Sequence, residues 1–200
     1  MTDVGGRCKN LDMSQPGAVP QDAVVVGVAK DSTHRFSKVA GESIEIVAGH
    51  GVVGDAHAGP TVKHRSRAMK DPTQPNLRQV HLIQREFHDL AREHGYELGP
   101  GDLGENVLTS GVDLLDLPRG TLLRLGQDAV VRITGLRNPC QQINDFRAGL
   151  LKLAVTRDEV GQIVRRTGVM SVVEVGGIVR VGDRVTVTLP APPHESLEPV

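Results

Sequence analysis

The sequence is divided into many short apolar runs, which are separated by turns rich in glycine and proline. The 200 residues include 23 glycines and 12 prolines, residue types that favour turns between strands. Strands are predicted at residues 23–29, 43–47, 77–83, 107–109, 114–117, 121–125, 129–134, 169–175, 178–181 and 184–189. Because strands and helices do not alternate regularly, a parallel sheet with helical crossovers is not expected. The pattern predicts a mainly β fold, a closed or nearly closed antiparallel β-barrel, because closure removes exposed sheet edges.

A few short helices are predicted between these strands. Apolar residues at helical spacing predict a helix at 84–94, and a second helix is predicted at 141–150. A third is predicted after Thr156, because Thr156 and Glu159 form a capping-box pattern and Gly168 follows as a stop signal.

The length of the chain is typical of one domain with flexible terminal segments. Residues 1–21 lack periodicity and are predicted to be a flexible N-terminal segment. Residues 22–190 are predicted to form the folded domain, and the proline-rich residues 191–200 a flexible C-terminal tail.

The composition excludes several classes of partner. The formal net charge is -1, from 23 basic and 24 acidic side chains, so no footprint for nucleic acid or an anionic membrane is expected. The apolar runs are too short to span a bilayer, and the first residues lack the apolar core of a signal peptide. Two cysteines give no disulfide framework, so a soluble protein of the reducing cytoplasm is expected.

Cys140 lies at a predicted junction between a strand, 129–134, and the helix 141–150. Pro139 restricts the backbone there, and Arg137 stands three residues before the cysteine. A helix N-terminus and an arginine both favour the thiolate, the form that attacks electrophiles, binds metals or carries sulfur. The alternative is a buried, inert cysteine, and the junction alone does not decide between the two.

The segment 48–76 is longer than most loops of compact domains, which suggests a function. Asp55 and His57 are two residues apart, so their side chains point the same way in an extended loop. Together with His64 and His81 they offer a ligand set for zinc or another divalent transition metal. The spacing fits no helical metal motif, and the alternative is one pocket histidine with the others on the surface.

Glu105 and Asn106 follow a glycine at the start of a predicted strand. Glu105 is a candidate proton shuttle or ligand, and Asn106 is a candidate for binding the polar edge of a substrate. The alternative is a turn-forming asparagine beside an exposed glutamate.

Four segments in this order resemble the MOSC domain family, which is named after the C-terminal domain of molybdenum cofactor sulfurases. They are residues 54–59 (Gly-Asp-Ala-His-Ala-Gly), 104–106 (Gly-Glu-Asn), the strand–turn–strand 122–134, and 137–140 (Arg-Asn-Pro-Cys). The resemblance covers about residues 24–190, so the predicted domain 22–190 is identified as a MOSC domain.

The resemblance implies a barrel similar to the pyruvate kinase β domain, a cysteine that carries sulfur as a persulfide, and affinity for the molybdenum cofactor, molybdopterin. Cys140 matches the cysteine of the family, and Arg137 and Asn138 match the polar residues before it. Asp55, His57 and Asn106 are the other candidate cofactor-binding residues.

Two departures from the family pattern bear on function. Many members have consecutive histidines after the aspartate, whereas here a single His57 follows and the next histidine is His64. The chain also lacks a pyridoxal-phosphate desulfurase domain and the extra N-terminal β domain of larger molybdenum reductases. Sulfur is therefore expected to come from a partner such as a cysteine desulfurase.

The main hypothesis is a stand-alone MOSC protein that carries or transfers sulfur to a molybdenum cofactor or another small acceptor, with Cys140, Arg137 and Glu105 as catalytic residues. The activity class would be sulfur transferase-type or associated with the molybdenum cofactor. One alternative is a metal-dependent lyase or hydrolase that uses the Asp55 and His57 loop with His64 and His81. The other is a non-catalytic molybdopterin-binding module.

Overall fold

The computed structural model describes residues 22–62, 71 and 73–200. Within these residues the chain forms thirteen strands and three short helices. In chain order they are β1 (Val24–Lys30), β2 (Val39–Gly41), β3 (Ser43–Val47), β4 (Gly51–Val52), β5 (Val80–Gln84), α1 (Arg85–Glu93), β6 (Val107–Ser110), β7 (Leu122–Leu125), β8 (Ala129–Leu136), α2 (Gln142–Phe146), α3 (Leu150–Ala154), β9 (Val155–Arg157), β10 (Ile163–Arg165), β11 (Val169–Val175), β12 (Gly177–Arg180) and β13 (Val185–Thr188).

A large mixed sheet of eight strands organises the molecule, in the order β13-β7-β8-β11-β5-β6-β1-β2. A three-stranded sheet, β12-β3-β4, and the hairpin β9–β10 accompany it. The mainly β prediction is therefore confirmed.

The predicted closed antiparallel barrel is not found. β5 and β6 pair in parallel, because α1 lies between them and carries the chain back across the sheet. Between the described strands no ladder joins the two edges of the sheet. A single antiparallel bridge, between Val24 and Arg184, ties β1 to the start of β13.

The core has two parts, one on each face of the central strands. Leu82 of β5 belongs to the larger cluster, which the strands of the sheets enclose. The next residue, Ile83, belongs to a second cluster beneath the helices, with Phe87, Leu103 and Ile143. Successive side chains of a strand point to opposite faces, so β5 is packed on both sides. It thereby supports the candidate site, which lies beside it.

The helix predicted after Thr156 is instead the hairpin β9–β10. Asp158 accepts hydrogen bonds from the amides of Val160 and Gln162, at 3.0 and 2.8 Å, and thereby closes a turn. Thr156 pairs across the hairpin with Val164, so it does not cap a helix. An aspartate that hydrogen bonds to amides just ahead competes with helix formation, and here the turn wins.

Two smaller predictions also differ from the structure. The helix predicted at 141–150 is split into α2 and α3, because Gly149 adopts a φ of 90° and its amide donates to Asn144 Oδ1 at 2.7 Å. Residues 114–117, predicted to be a strand, form turns. No helix among the described residues is long and apolar enough to cross a membrane.

The structure describes the C-terminal end of the chain but not the N-terminal end. Residues 1–21, predicted to be a flexible segment, lie outside the described residues. Residues 191–200, predicted to be a flexible tail, reach β8, where the Leu136 amide donates to Glu198 O at 2.9 Å.

Candidate functional site

A cavity of about 340 Å³ lies beside β5, β8 and β11 and contains several of the predicted site residues. Four basic side chains line it, from Arg35, Lys38, Arg78 and Arg137. No Asp or Glu belongs to that lining among the residues that the structure describes. The other polar lining residues are His57, Asn76, His81, Asn106, Asn138, Cys140 and Gln142.

Cys140 lies on the irregular segment between β8 and α2, and its thiol is free and exposed. Its Sγ lies 3.4 Å from Gln142 Oε1, and its carbonyl accepts the Ile143 amide at the start of α2. The thiol is therefore not buried, as the alternative interpretation of the junction would have it.

Arg137 supplies a partly buried cation beside this thiol. Its amide donates to Gly168 O at 3.0 Å, and its guanidinium lies over the Phe36 ring, 5.9 Å from the centroid. Burial lowers the pKa of Arg137, while the negative charges of a Cys140 thiolate and of Glu105 raise it. Nη1 is buried and has no hydrogen-bond partner among the described residues. A buried N–H of this kind is normally satisfied, so Nη1 indicates that an acceptor belongs there.

Asp55 lies at the centre of a hydrogen-bond network at the base of the cavity. Its Oδ2 accepts from Lys38 Nζ at 2.7 Å and from Asn106 Nδ2 at 3.0 Å. Its Oδ1 accepts from the His57 amide at 2.9 Å and lies 3.2 Å from His57 Nδ1. Burial alone would raise the pKa of Asp55, but the bonds from His57 and the charge of Lys38 hold it well below the usual value. Asp55 is therefore a carboxylate that orients its neighbours.

His57 is the member of this network that reaches the cavity. Its side chain is half-buried, and its ring meets the His34 ring edge-on, at 5.0 Å between centroids. If Nδ1 donates to Asp55, Nε2 keeps a lone pair for a proton or a ligand. Asn106 links the network to the sheet, because its Nδ2 also donates to Ala29 O and its Oδ1 accepts the His81 amide.

His81 is buried at the edge of the cavity, and its Nε2 is taken up by the protein. Its Nε2 lies 2.7 Å from Thr167 O, and because a carbonyl only accepts, Nε2 is the donor. Burial holds the pKa of His81 well below the usual value, so the ring is neutral. Nε2 is thus not available to a metal in this arrangement.

The predicted metal set is not assembled by the described residues. His64 lies outside them, so its position relative to His57 and His81 is not described. Over residues 22–62, 71 and 73–200, no group of three or more His, Cys, Asp or Glu side chains is arranged to hold a metal ion. The lyase or hydrolase alternative gains no support from this geometry.

Glu105 is fully buried and is not part of the cavity lining. Its oxygens accept the amides of Gly101 at 2.7 Å and Leu103 at 3.1 Å, and His88 Nε2 lies 3.8 Å away. Burial raises the pKa of Glu105 to about 7. Leu103 and Gly104 do line the cavity, so the carboxyl positions a wall rather than touching a ligand.

Asn138 is exposed at the rim of the cavity, where its Oδ1 accepts from Arg165 Nε at 3.3 Å. Sequence reasoning missed Lys38, which is buried against Asp55, and the neighbouring Arg35 and Phe36. These residues lie in a polar loop between two strands, and no spacing there marks a buried lysine.

The MOSC domain family matches residues 54–186, well over half of the chain, so this chain belongs to the MOSC domain family. The four segments that suggested the resemblance all fall inside this match, and the prediction is confirmed.

Solved structures with a similar fold include YuaD from Bacillus subtilis, with 24% identity and a TM-score of 0.67 over 84% of this chain and 97% of that one. YiiM from Escherichia coli has 18% identity and a TM-score of 0.54 over 86% of this chain and 73% of that one. YiiM from Geobacillus stearothermophilus has 15% identity and a TM-score of 0.54, over 86% and 77%. Identities this low show a shared fold. No curated protein sequence matches the chain significantly.

Proposed function

We propose that this MOSC protein carries sulfur on Cys140 and transfers it to an anionic acceptor in the adjoining cavity. One observation carries the proposal: an exposed thiol shares a cavity with Arg137, whose buried Nη1 has no partner among the described residues. A thiol that stores sulfur has to be reachable by donor and acceptor, and an arginine beside it stabilises both its thiolate and an anionic ligand.

The charge of the cavity supports an anionic acceptor. The charge of Lys38 is neutralised by its ion pair with Asp55, at 2.7 Å. Lys38 therefore stabilises the structure of the site and adds no net positive charge for a ligand. Arg137 and the more exposed Arg35 remain as cations towards a ligand. Guanidinium groups bind carboxylate, phosphate and sulfate-like groups through paired hydrogen bonds, which favours ligands of this type.

The sulfur-transfer step conserves electrons. The Cys140 thiolate attacks the outer sulfur of a donor persulfide, a new S–S bond forms, and the donor leaves as a thiolate. Cys140 then holds a persulfide, and its terminal sulfur passes to a nucleophilic acceptor while the Cys140 thiolate is restored. No external oxidant or reductant is needed. The donor we propose is a cysteine desulfurase or a similar persulfide-bearing protein, because the exposed thiol is open to such a partner.

His57 is the side chain of the site best suited to handle the proton of the thiol. It lines the same cavity as Cys140, and Asp55 fixes its Nδ1. Nε2 then accepts the proton when the thiolate forms and returns it to the leaving group. Asp55 keeps the ring in this orientation without changing its own charge.

The residues present also fit the molybdenum cofactor that the family implies. Arg137 Nη1 offers an unused donor for a phosphate oxygen, and the exposed Asn138 offers an amide group for the polar edge of a pterin. The Asn106 amide is already bonded to Asp55 and Ala29, so Asn106 would hold the network behind the ligand. When bound, the cofactor would supply a metal centre, which in its reduced state would provide the two electrons needed to take up the sulfur as sulfide. A binding module without sulfur transfer would use the same donors but would not need the exposed thiol.

Intact-mass analysis tests the proposal. The protein, as a Cys8→Ser variant so that one thiol remains, is incubated with a cysteine desulfurase and free cysteine. We expect the mass to rise by one sulfur atom, which a reductant removes, and the Cys8→Ser/Cys140→Ser control to show no gain. Absence of any added sulfur on the Cys8→Ser protein would overturn the sulfur-carrier role and leave a binding module.

A further inference from the structure

The segment Glu195–Val200 runs beside β8 as part of the folded domain. Leu136 donates its amide to Glu198 O at 2.9 Å and accepts the Val200 amide at 3.2 Å. Farther along, the Arg119 amide donates to Glu195 O at 2.9 Å. Leu197 packs against the larger core cluster, so the segment is held by side chains as well as by its backbone.

Gly135 provides the space for this segment. A Cβ at Gly135 would lie 2.3 Å from Glu198 O and 2.6 Å from Val200 Cγ1, both closer than any real contact. Glycine inside a strand costs stability, and it is typical of places where another backbone approaches closely. Only glycine at position 135 therefore leaves enough space for residues 198–200 to lie against β8.

The segment also forms part of the cavity. Pro199 lines it, and Arg78, another lining residue, donates from Nη2 to Val200 O. The family match ends at residue 186, so this segment lies outside the matched region.

We propose that Glu195–Val200 is a specificity wall: it narrows the cavity beside β8 and directs Arg78 towards itself, which limits the size and charge of ligands that reach Cys140. The proposal rests on the proposed function in that Cys140 is taken as the reacting atom. With the wall in place, Arg137 and Arg35 are the cations facing a ligand. With the wall removed, Arg78 loses its bond to Val200 O and adds a third, and the cavity favours bulkier and more negative ligands.

Thiol–disulfide exchange at Cys140 tests the wall directly. In the Cys8→Ser background, rates are measured with two aromatic disulfides, the larger, dianionic dithiobis(nitrobenzoate) and the smaller, neutral dithiodipyridine. Two variants displace the wall: Gly135→Ala, and a chain that ends at Pro193. Gly41→Ala is the matched control, because Gly41 is also a strand glycine and a Cβ there meets its nearest atom at 3.9 Å.

We expect both wall variants to raise the ratio of the dianionic to the neutral rate about three- to tenfold, the effect of one added cation near the reagent. Adding Arg78→Gln to either variant should lower the ratio again, because it removes the added charge while the wider opening remains. The Gly41→Ala ratio should stay unchanged.

A folded Gly135→Ala protein with the wild-type ratio would overturn the proposal and leave the segment a structural support. If neither variant folds, hydrogen exchange on the Cys8→Ser protein still decides. Addition of sulfate should change the protection of the Leu136 and Val200 amides if the wall borders the ligand, and unchanged protection would refute it. None of these measurements requires a persulfide. A failure to load sulfur would therefore count against the sulfur-carrier role alone, and an unchanged thiol–disulfide rate ratio would count against the wall alone.

Discussion

Asp55 joins three parts of the chain that are distant in sequence. Lys38 comes from the loop before β2, Asn106 from the start of β6, and His57 from the loop of Asp55 itself. The Lys38 side chain is only 5% exposed and that of Asp55 2%, so little water screens the pair. A buried charge that loses its partner keeps the cost of desolvation without compensation.

Lys38→Met is therefore expected to lower the free energy of unfolding by about 3 kcal/mol, because it leaves the Asp55 carboxylate without its cation. Urea denaturation measures the change. Lys30→Met is the control, since Lys30 is exposed and its Nζ contacts only Val53 O at 3.1 Å among the partners described. Equal effects of the two substitutions would contradict the structural role of the pair.

Glu105 predicts a pH dependence of stability. Its pKa of about 7 in the folded protein exceeds the usual 4.5, so the folded state binds the proton more tightly than the unfolded state. The free energy of unfolding should therefore fall as the pH rises from about 4.5 to about 7 and then level off, by a total on the order of 3 kcal/mol.

The difference between wild type and Glu105→Gln isolates this contribution, because glutamine stays neutral at every pH. His88 gives the opposite slope in both proteins, since burial lowers its pKa to about 4. Asp55 loses its stabilising contribution only at lower pH, as its own pKa is depressed. Denaturation curves should show the two proteins closest in stability at low pH, with the wild type falling behind as the pH rises. A pH-independent difference would refute the assignment.

The sequence predicted which residues belong to the site where a local motif contained them. It did not predict the roles of residues that depend on burial in the folded protein. The proline-containing junction marked Cys140 and Arg137 as candidates but left the exposure of the thiol undecided, and the structure has both side chains at one cavity. Lys38 carries no such mark, because its burial depends on Asp55, which lies beyond three further strands. Glu105 was placed in the correct region, but only the folded loop shows that its oxygens face amides.

At the scale of the elements, strands with a clear apolar pattern were predicted with nearly the observed bounds. β3 and β11 match the predicted ranges 43–47 and 169–175. The predicted helix after Thr156 failed, because a Thr–Glu spacing is compatible with a capping box and also with a hairpin whose turn Asp158 closes. Local sequence does not decide between them, whereas pairing of β9 with β10 does.

Gly168 at the entry to β11 provides an element-scale prediction. It has a φ of 80°, and a Cβ there would lie 1.9 Å from Leu82 O in β5. Gly168→Ala should therefore separate β11 from β5 and displace Arg137, whose amide donates to Gly168 O. We expect a loss of about 3 kcal/mol or more in the free energy of unfolding.

Gly161→Ala controls for backbone strain alone. Gly161 has a φ of 84°, and a Cβ added there would have no other atom within 4 Å. Its substitution should cost about 1 kcal/mol, measured by the same denaturation experiment. A Gly168→Ala protein as stable as Gly161→Ala would show that the close approach to β5 is not required.

At the scale of the whole molecule, the cavity is assembled from regions inside and outside the family match. Asp55, His57, Arg137 and Cys140 lie within residues 54–186. Arg35, Phe36 and Lys38 come from before the match, and Pro199 comes from after it. The matched region thus supplies Cys140 and most of the lining, whereas residues before and after it complete the Asp55 network and the cavity wall.

The barrel prediction shows the limit of sequence reasoning at this scale. Short strands with many turns indicated a closed antiparallel structure, but closure depends on which strands pair. The α1 connection makes β5 and β6 parallel, and the described strands form a large mixed sheet. Pairing between strands distant in the chain is not encoded in any single segment.

The central claim is that Arg137 supports sulfur uptake by Cys140, and single-turnover loading from a persulfide-bearing cysteine desulfurase tests it most directly. Arg137→Gln is compared with Arg147→Gln, since both arginines lie over a phenylalanine ring but Arg147 is exposed and outside the cavity lining. We predict one sulfur per chain on Cys140, a loading rate about tenfold lower in Arg137→Gln, and an unchanged rate in Arg147→Gln. Equal rates in the two variants, or sulfur recovered on Cys8 instead of Cys140, would contradict the account.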